Sequence, residues 1–176
     1  MRIVLIALSC SLSIGANAFS DSSYESEVNC LAENIYHEAR GQSIAGRLAV
    51  AHVTINRVIH KRFPDTVCGV VRQGKTKISW KTGQPVPVKN KCQFSWFCDG
   101  KKDIINEPKA WYSALNVAHS IYFHRIETAT QMIQWSDTTE GAMWYHAARV
   151  TPYWASSMHK VKHVNNHIFY NKKEPK

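Results

Sequence analysis

The stretch from Val28 to Gly41 constrains the fold most, because it writes one helix whose buried stripe ends in an acid. Val28, Leu31 and Ile35 recur at helical spacing and mark a face turned to a core. Three residues further along the same stripe stands Glu38, where the pattern asks for an apolar side chain. Gly41 follows and reads as the helix stop. Glu38 therefore belongs to the last turn, where unpaired carbonyls create a negative potential. Burial and that potential both disfavour the ionised form and raise the pKa. A carboxylic acid kept protonated near neutral pH is suited to general acid catalysis. The competing reading is a structural Glu paired with Arg40 or a distant cation.

Other elements follow from the same patterns. Ser22 and Glu25 are spaced as a capping box, which predicts a first helix from about 23 to 40. Ile44, Leu48, Ala51, Ile55 and Ile59 predict a second helix over 43–60. Asp65 or Thr66 caps a short helix running to Gln73. Ile78 to Lys81, Thr82-Gly83 and Gln84 to Val88 predict a hairpin, with Pro85 and Pro87 confining the second strand to an edge. Pro108 opens a third long helix to about Thr128, with Trp111, Leu115, Ala118 and Tyr122 on its buried side. His167 to Tyr170 reads as a strand, and the tail 171–176 as loose. Three helices with a small β region imply a mainly helical α+β domain with a cleft between lobes.

The N-terminus and the cysteines speak of export. Arg2, the apolar run Ile3 to Ile14 and Ala16-Asn17-Ala18 predict a signal peptide over 1–18, leaving one domain over 19–176. Four cysteines remain in that domain, Cys30, Cys68, Cys92 and Cys98, an even number that predicts two disulfides. Three pairings are open, and Cys30–Cys68 with Cys92–Cys98 is the favoured one. Zinc is the weaker reading, because there is no C-x-x-C pair. The formal net charge of +9 suits an anionic envelope. The lysines are scattered without an aromatic RNA-binding motif, which argues against nucleic acid.

Chemistry beyond Glu38 is less sharply written. Asp99, Asp103, Asp137 and Glu140 are possible second carboxylates, but no spacing sets one opposite Glu38. Glu33 lies about 140° round the helix from it. Trp96 offers a flat apolar face for a sugar ring, while Gln93 and Ser95 offer hydrogen bonds. Trp144-Tyr145-His146 and Pro152-Tyr153-Trp154 form a second aromatic cluster, in which Tyr145 and His146 can bind substrate or orient Glu38. His159, His163 and His167 would align as metal ligands on a helix. Their surroundings read as strand instead, where they lie far apart, so no metal or cofactor is expected. There is no G-x-S-x-G elbow, and disulfide-bonded cysteines provide no thiolate.

Y-H-E-A-R-G (36–41), A-V-A-H-V-T-I-N-R-V (49–58), R-F-P-D-T-V-C-G-V-V (62–71) and C-Q-F-S-W-F-C-D-G (92–100) stand in the order seen in the SleB/CwlJ cell wall hydrolases, the spore cortex-lytic enzyme family, which the chain resembles from about Asn29 to Tyr170. The resemblance implies a lysozyme-like or lytic-transglycosylase-like fold. It makes Glu38 the catalytic acid of a peptidoglycan hydrolase. It adds Tyr36, Gln93, Ser95, Trp96, Tyr145 and His146 as candidate substrate contacts. Lytic transglycosylation needs one carboxyl group, which protonates the glycosidic oxygen and then accepts the proton of the attacking C6 hydroxyl. The alternatives are a metal-dependent wall amidase or peptidase, and a wall-binding module without activity. The expected partner is the glycan strand of peptidoglycan, met by a monomer in the periplasm or cell wall, with peripheral contact to the anionic envelope.

Overall fold

A computed structural model describes residues 18–127 and 136–173, with side chains from 23 to 126 and from 136 to 173. The leader expected over 1–18, except for Ala18, the helix end expected at Thr128 and the last three residues lie outside that range. In chain order come α1 (Ala18–Ala39), α2 (Ile44–Ile59), α3 (Val67–Val71), the hairpin β1 (Gly74–Ile78) and β2 (Pro85–Cys92), a 3-10 turn (Ser95–Cys98), α4 (Pro108–Tyr122) extended by a π turn (Phe123–Glu127), and the strands β3 (Trp144–Ala147), β4 (Met158–Val164) and β5 (His167–Lys172). Both sheets are antiparallel: β1 pairs β2, and the larger sheet has the order β3-β5-β4.

Helix α2 is the centre, and its burial explains the layout. Ala51 and Ile55 face a core made with α1, α3 and α4, where Val28, Leu31, Ile35, Ala114, Ala118 and Ile121 meet. Ala49 and Val53 face a second core against Ala142 and Phe169, with Tyr145 and Val164 packed beside them. Helices thus lie on one side of α2 and the three-stranded sheet on the other. The β4–β5 turn closes on the start of α2, where Asn165 donates to Ser43 Oγ at 2.6 Å. Gly46 permits that approach, since a Cβ there would sit 2.7 Å from Gln42 Cβ and 2.8 Å from Asn165 Nδ2.

Several boundaries differ from the sequence reading. Helix α1 already runs at Ala18, so Ser22 lies inside it instead of at its start; extending an existing helix is easier than starting one. Ile44 and Ile59, the ends of the expected α2 stripe, are exposed, because the helix projects past the cores at both ends. Thr66 caps α3 as expected, its Oγ1 accepting from Gly69 N at 3.1 Å. Strand β1 begins at Gly74, and Ser79 to Lys81 fall in the turn, closed by Ser79 N to Gln84 O at 2.9 Å. The buried side of α4 is rotated toward Ala114, Val117, Ala118, Ile121 and Tyr122, with Trp111 and Leu115 only partly covered. Small alanines at the contact let α1 and α4 pack closely. Asn171 and Lys172 extend β5 instead of fraying.

The cysteines pair as Cys30–Cys68 and Cys92–Cys98. The first ties α1 to α3, and the second ties the end of the hairpin to the turn over 95–98.

Candidate active site

Glu38 sits in the last turn of α1 at the wall of a cleft of about 500 Å³. Gln93, Ser95, Trp96 and Asp99 line the cleft from the segment after the hairpin, Arg57 from α2, and Tyr145, Ala147 and His167 from the sheet. The packing of the sheet on α2 brings Tyr145 across 107 residues of sequence to donate its hydroxyl to Glu38 Oε2 at 3.1 Å. Among the described residues no partner holds the other carboxyl oxygen.

The electrostatics favour a protonated Glu38. Burial raises its pKa; the Tyr145 hydroxyl and the Arg57 guanidinium oppose that by stabilising the carboxylate, and burial prevails. Burial also pushes Tyr145 well above its ordinary range, with the Glu38 charge adding to it. Arg57 is the cation of this group, almost fully buried. Its Nε donates to Met143 O at 2.8 Å, and the guanidinium lies 5.0 Å from the Phe94 ring and 5.5 Å from Phe63. Among the described residues its Nη1 has no hydrogen-bond partner. Burial disfavours the Arg57 cation, and Tyr145 and Glu38 partly offset this. Arg40, which the competing structural reading pairs with Glu38, instead pairs with Glu107 at 2.9 Å.

The aromatic wall is fixed from behind. Trp96 donates from Nε1 to Asn34 Oδ1 at 3.0 Å, and buried Asn34 donates in turn to Thr54 Oγ1 at 3.0 Å. His37 stacks on Trp96 with centroids 4.5 Å apart. Burial, the largest influence, keeps His37 below its ordinary pKa. The Trp96 N–H thus serves the core, and the ring alone is offered to a ligand. Asp99, the second acid on the cleft, accepts from Lys101 N at 2.8 Å and has Lys101 Nζ at 3.7 Å.

Of the residues singled out in the sequence, Glu38, Gln93, Ser95, Trp96 and Tyr145 converge on the cleft, and His146 only borders it. Tyr36 does not. It lies about 200° round the helix from Glu38 and is buried, donating to Asn106 Oδ1 at 3.0 Å and accepting from Asn106 N and Glu107 N. It anchors the start of α4. His146 alternates with Tyr145 along β3, so its ring turns the other way. Its nitrogens meet Ala147 O and Tyr170 Oη, both at 2.9 Å, among Tyr170 and Trp154. His159 and His163 are exposed on β4, while His167 is buried on β5, so they form no helical ligand row. Arg57 was missed by the sequence reading. Yet Val50, Val53, Thr54 and Arg57 share one helical stripe, the same signal of a charge on a buried face that exposed Glu38.

Comparison with known proteins gives the family. The Cell Wall Hydrolase profile matches residues 41–170, beginning just past Glu38. The chain belongs to the cell wall hydrolase family. A spore cortex-lytic enzyme of Bacillus cereus is 28% identical over 112 residues, which cover 64% of this chain and 39% of that protein. The chain thus spans less than half the length of the curated relatives it matches. The catalytic domain of the Bacillus cereus SleB protein superposes with a TM-score of 0.55 at 23% identity, covering 84% of this chain and 91% of that one. The catalytic domain of SleB from Bacillus anthracis, described as a germination-specific lytic transglycosylase, superposes with a TM-score of 0.56 at 23% identity, over 89% of this chain and all of that one. The fold is that of these domains, the mainly helical, lysozyme-like α+β class with a small hairpin lobe.

Proposed function

We propose that this cell wall hydrolase cleaves the glycan backbone of peptidoglycan as a lytic transglycosylase, with Glu38 as its single acid and base. One observation carries the reading: Glu38 is buried at a cleft, its pKa raised by that burial, and it is anchored through Oε2 by Tyr145. The remaining oxygen is left for the glycosidic bond. In the first half of the reaction Glu38 gives its proton to the glycosidic oxygen as the bond from C1 breaks. The carboxylate that forms is stabilised by the Tyr145 hydroxyl and the buried Arg57 charge. It then takes the proton of the C6 hydroxyl as that oxygen bonds to C1, which leaves a 1,6-anhydro end and restores the acid. No water enters the sum.

Gln93, Ser95 and the face of Trp96 are proposed to bind the sugars, consistent with their place on the cleft. The lytic transglycosylase description of the Bacillus anthracis domain with this fold supports the same chemistry. A second reading rests on Asp99, which also lines the cleft and would be the other carboxylate of a hydrolytic, muramidase-type cleavage. Mass spectrometry of digested peptidoglycan decides between them. Anhydro-muramic ends are expected; reducing ends that require Asp99 would replace transglycosylation by hydrolysis, and freed peptides would refute both. The proposal extends to an exported, monomeric protein whose catalytic domain spans 19–176, behind a leader over 1–18.

A further inference from the structure

We propose that the β1–β2 hairpin is a membrane-docking element that holds the enzyme on an anionic lipid surface. Between Gly74 and Cys92 the chain carries five lysines, Lys75, Lys77, Lys81, Lys89 and Lys91, and no acidic residue. Every residue of β1 is exposed, so the ribbon presents a face that nothing in the fold covers. Such a two-stranded ribbon has little stability of its own. It is held at its base by the Cys92–Cys98 disulfide, against which Gly74 packs so closely that a Cβ would lie 2.7 Å from Cys92 Sγ.

The tip carries the apolar part. Trp80 is 88% exposed and Ile78 67% exposed, and Ile78 pairs across the ribbon with Pro85. Lys81 Nζ lies 5.2 Å from the centre of the Trp80 ring. An exposed indole with an adjacent aliphatic side chain and Lys81 beside it, with Lys75 and Lys77 along the exposed strand behind, suits the boundary between lipid headgroups and acyl chains. There the ring finds an interfacial site, and the lysine stems lie along apolar surface while their heads meet phosphate. Charge complementarity selects anionic over zwitterionic lipid. None of the described helices is long and apolar enough to cross a membrane; the contact proposed is a peripheral one, made by the hairpin tip. Neither Trp80 nor the five lysines line the Glu38 cleft, while β2 runs directly into its wall at Gln93. Docking through the tip leaves the cleft open and does not depend on which wall bond is cut.

The test is cosedimentation of the purified full chain with vesicles of phosphatidylcholine alone and of equimolar phosphatidylcholine and phosphatidylglycerol, with lipid-free peptidoglycan as a parallel pellet. The wild type is expected to pellet with the anionic vesicles only, and less as salt is raised. Replacing Lys75, Lys77 and Lys81 by Gln should lower partitioning by about a hundredfold. Trp80→Ser should lower it by about tenfold and retain the salt dependence. Replacing the same three lysines by Arg should preserve binding, which separates charge from misfolding. Cleavage of soluble glycan fragments should be unchanged in all variants. Equal vesicle binding by wild type and variants would overturn the proposal. So would variants that lose peptidoglycan binding while keeping vesicle binding, since the hairpin would then serve the wall polymer.

Discussion

Replacing Glu38 by Gln separates a proton-transfer role from a structural one, because the two roles predict opposite changes. The amide has nearly the same shape, and its oxygen can still accept the Tyr145 hydroxyl that Oε2 accepts at 3.1 Å, a bond worth about 1 kcal/mol net. What is lost is the proton. General acid or base action contributes about 10²–10⁴-fold, and one group serving both half-reactions should cost at least that much. Stability should move the other way. Burial raises the Glu38 pKa in the folded state, so the folded protein binds this proton more tightly than the unfolded chain. As pH rises above the unfolded carboxyl pKa, the wild type therefore loses stability at up to about 1.4 kcal/mol per pH unit, until the folded pKa is passed. Gln escapes that loss, and for a chain of this size each kcal/mol is worth about 2–4 °C in melting temperature. The assay is turbidity and fragment analysis on purified peptidoglycan, with thermal melts of both proteins at acidic and neutral pH. Glu33→Gln, which lies off the cleft, is the control. A folded Glu38→Gln protein that cleaves near the wild-type rate, or that melts lower at neutral pH, would refute the reasoning.

Tyr145→Phe removes a bond that lowers the Glu38 pKa, so the alkaline limb of the rate profile should move to higher pH while kcat falls about 5–10-fold; an unmoved limb counts against the pairing. Trp96→Phe keeps an aromatic face but leaves the buried Asn34 oxygen without its 3.0 Å donor, and chemical denaturation should show a loss of about 1–3 kcal/mol. His52 is buried and held at about 4 against an ordinary 6.5, with burial as the main cause. Its folded pKa is depressed, so the wild type should lose stability as pH falls from 6.5 toward 4, by about 3 kcal/mol in all, and His52→Gln should flatten that part of the melting curve. Breaking Cys30–Cys68 opens a link between residues 38 apart and should cost about 4 kcal/mol, read as a lower denaturation midpoint for the Cys30→Ser, Cys68→Ser protein.

The sequence by itself determined the local elements and the anomaly that matters most. Val28, Leu31 and Ile35 wrote α1, and Glu38 on that stripe was legible as a buried acid, because helical spacing fixes which residues share a face. The cysteine count and the order of the short blocks were legible for the same reason: they are properties of the chain alone. The tertiary structure decided how the acid is supported. Tyr145 and Glu38 lie 107 residues apart, and only the stacking of the sheet on α2 brings them together. The alternation of β3 chose Tyr145 over His146 for that contact, since neighbouring strand residues face opposite ways. Tyr36 stands two residues from Glu38 in sequence but points into the core, because two residues turn a helix through about 200°. The stripe of Val50, Val53, Thr54 and Arg57 carries a charge that the sequence alone does not assign to the site; the cover on both sides of α2 is what buries it there. A pattern along one chain records which face is apolar; what covers that face, and which charges are brought together beneath it, is set by packing between segments far apart in sequence.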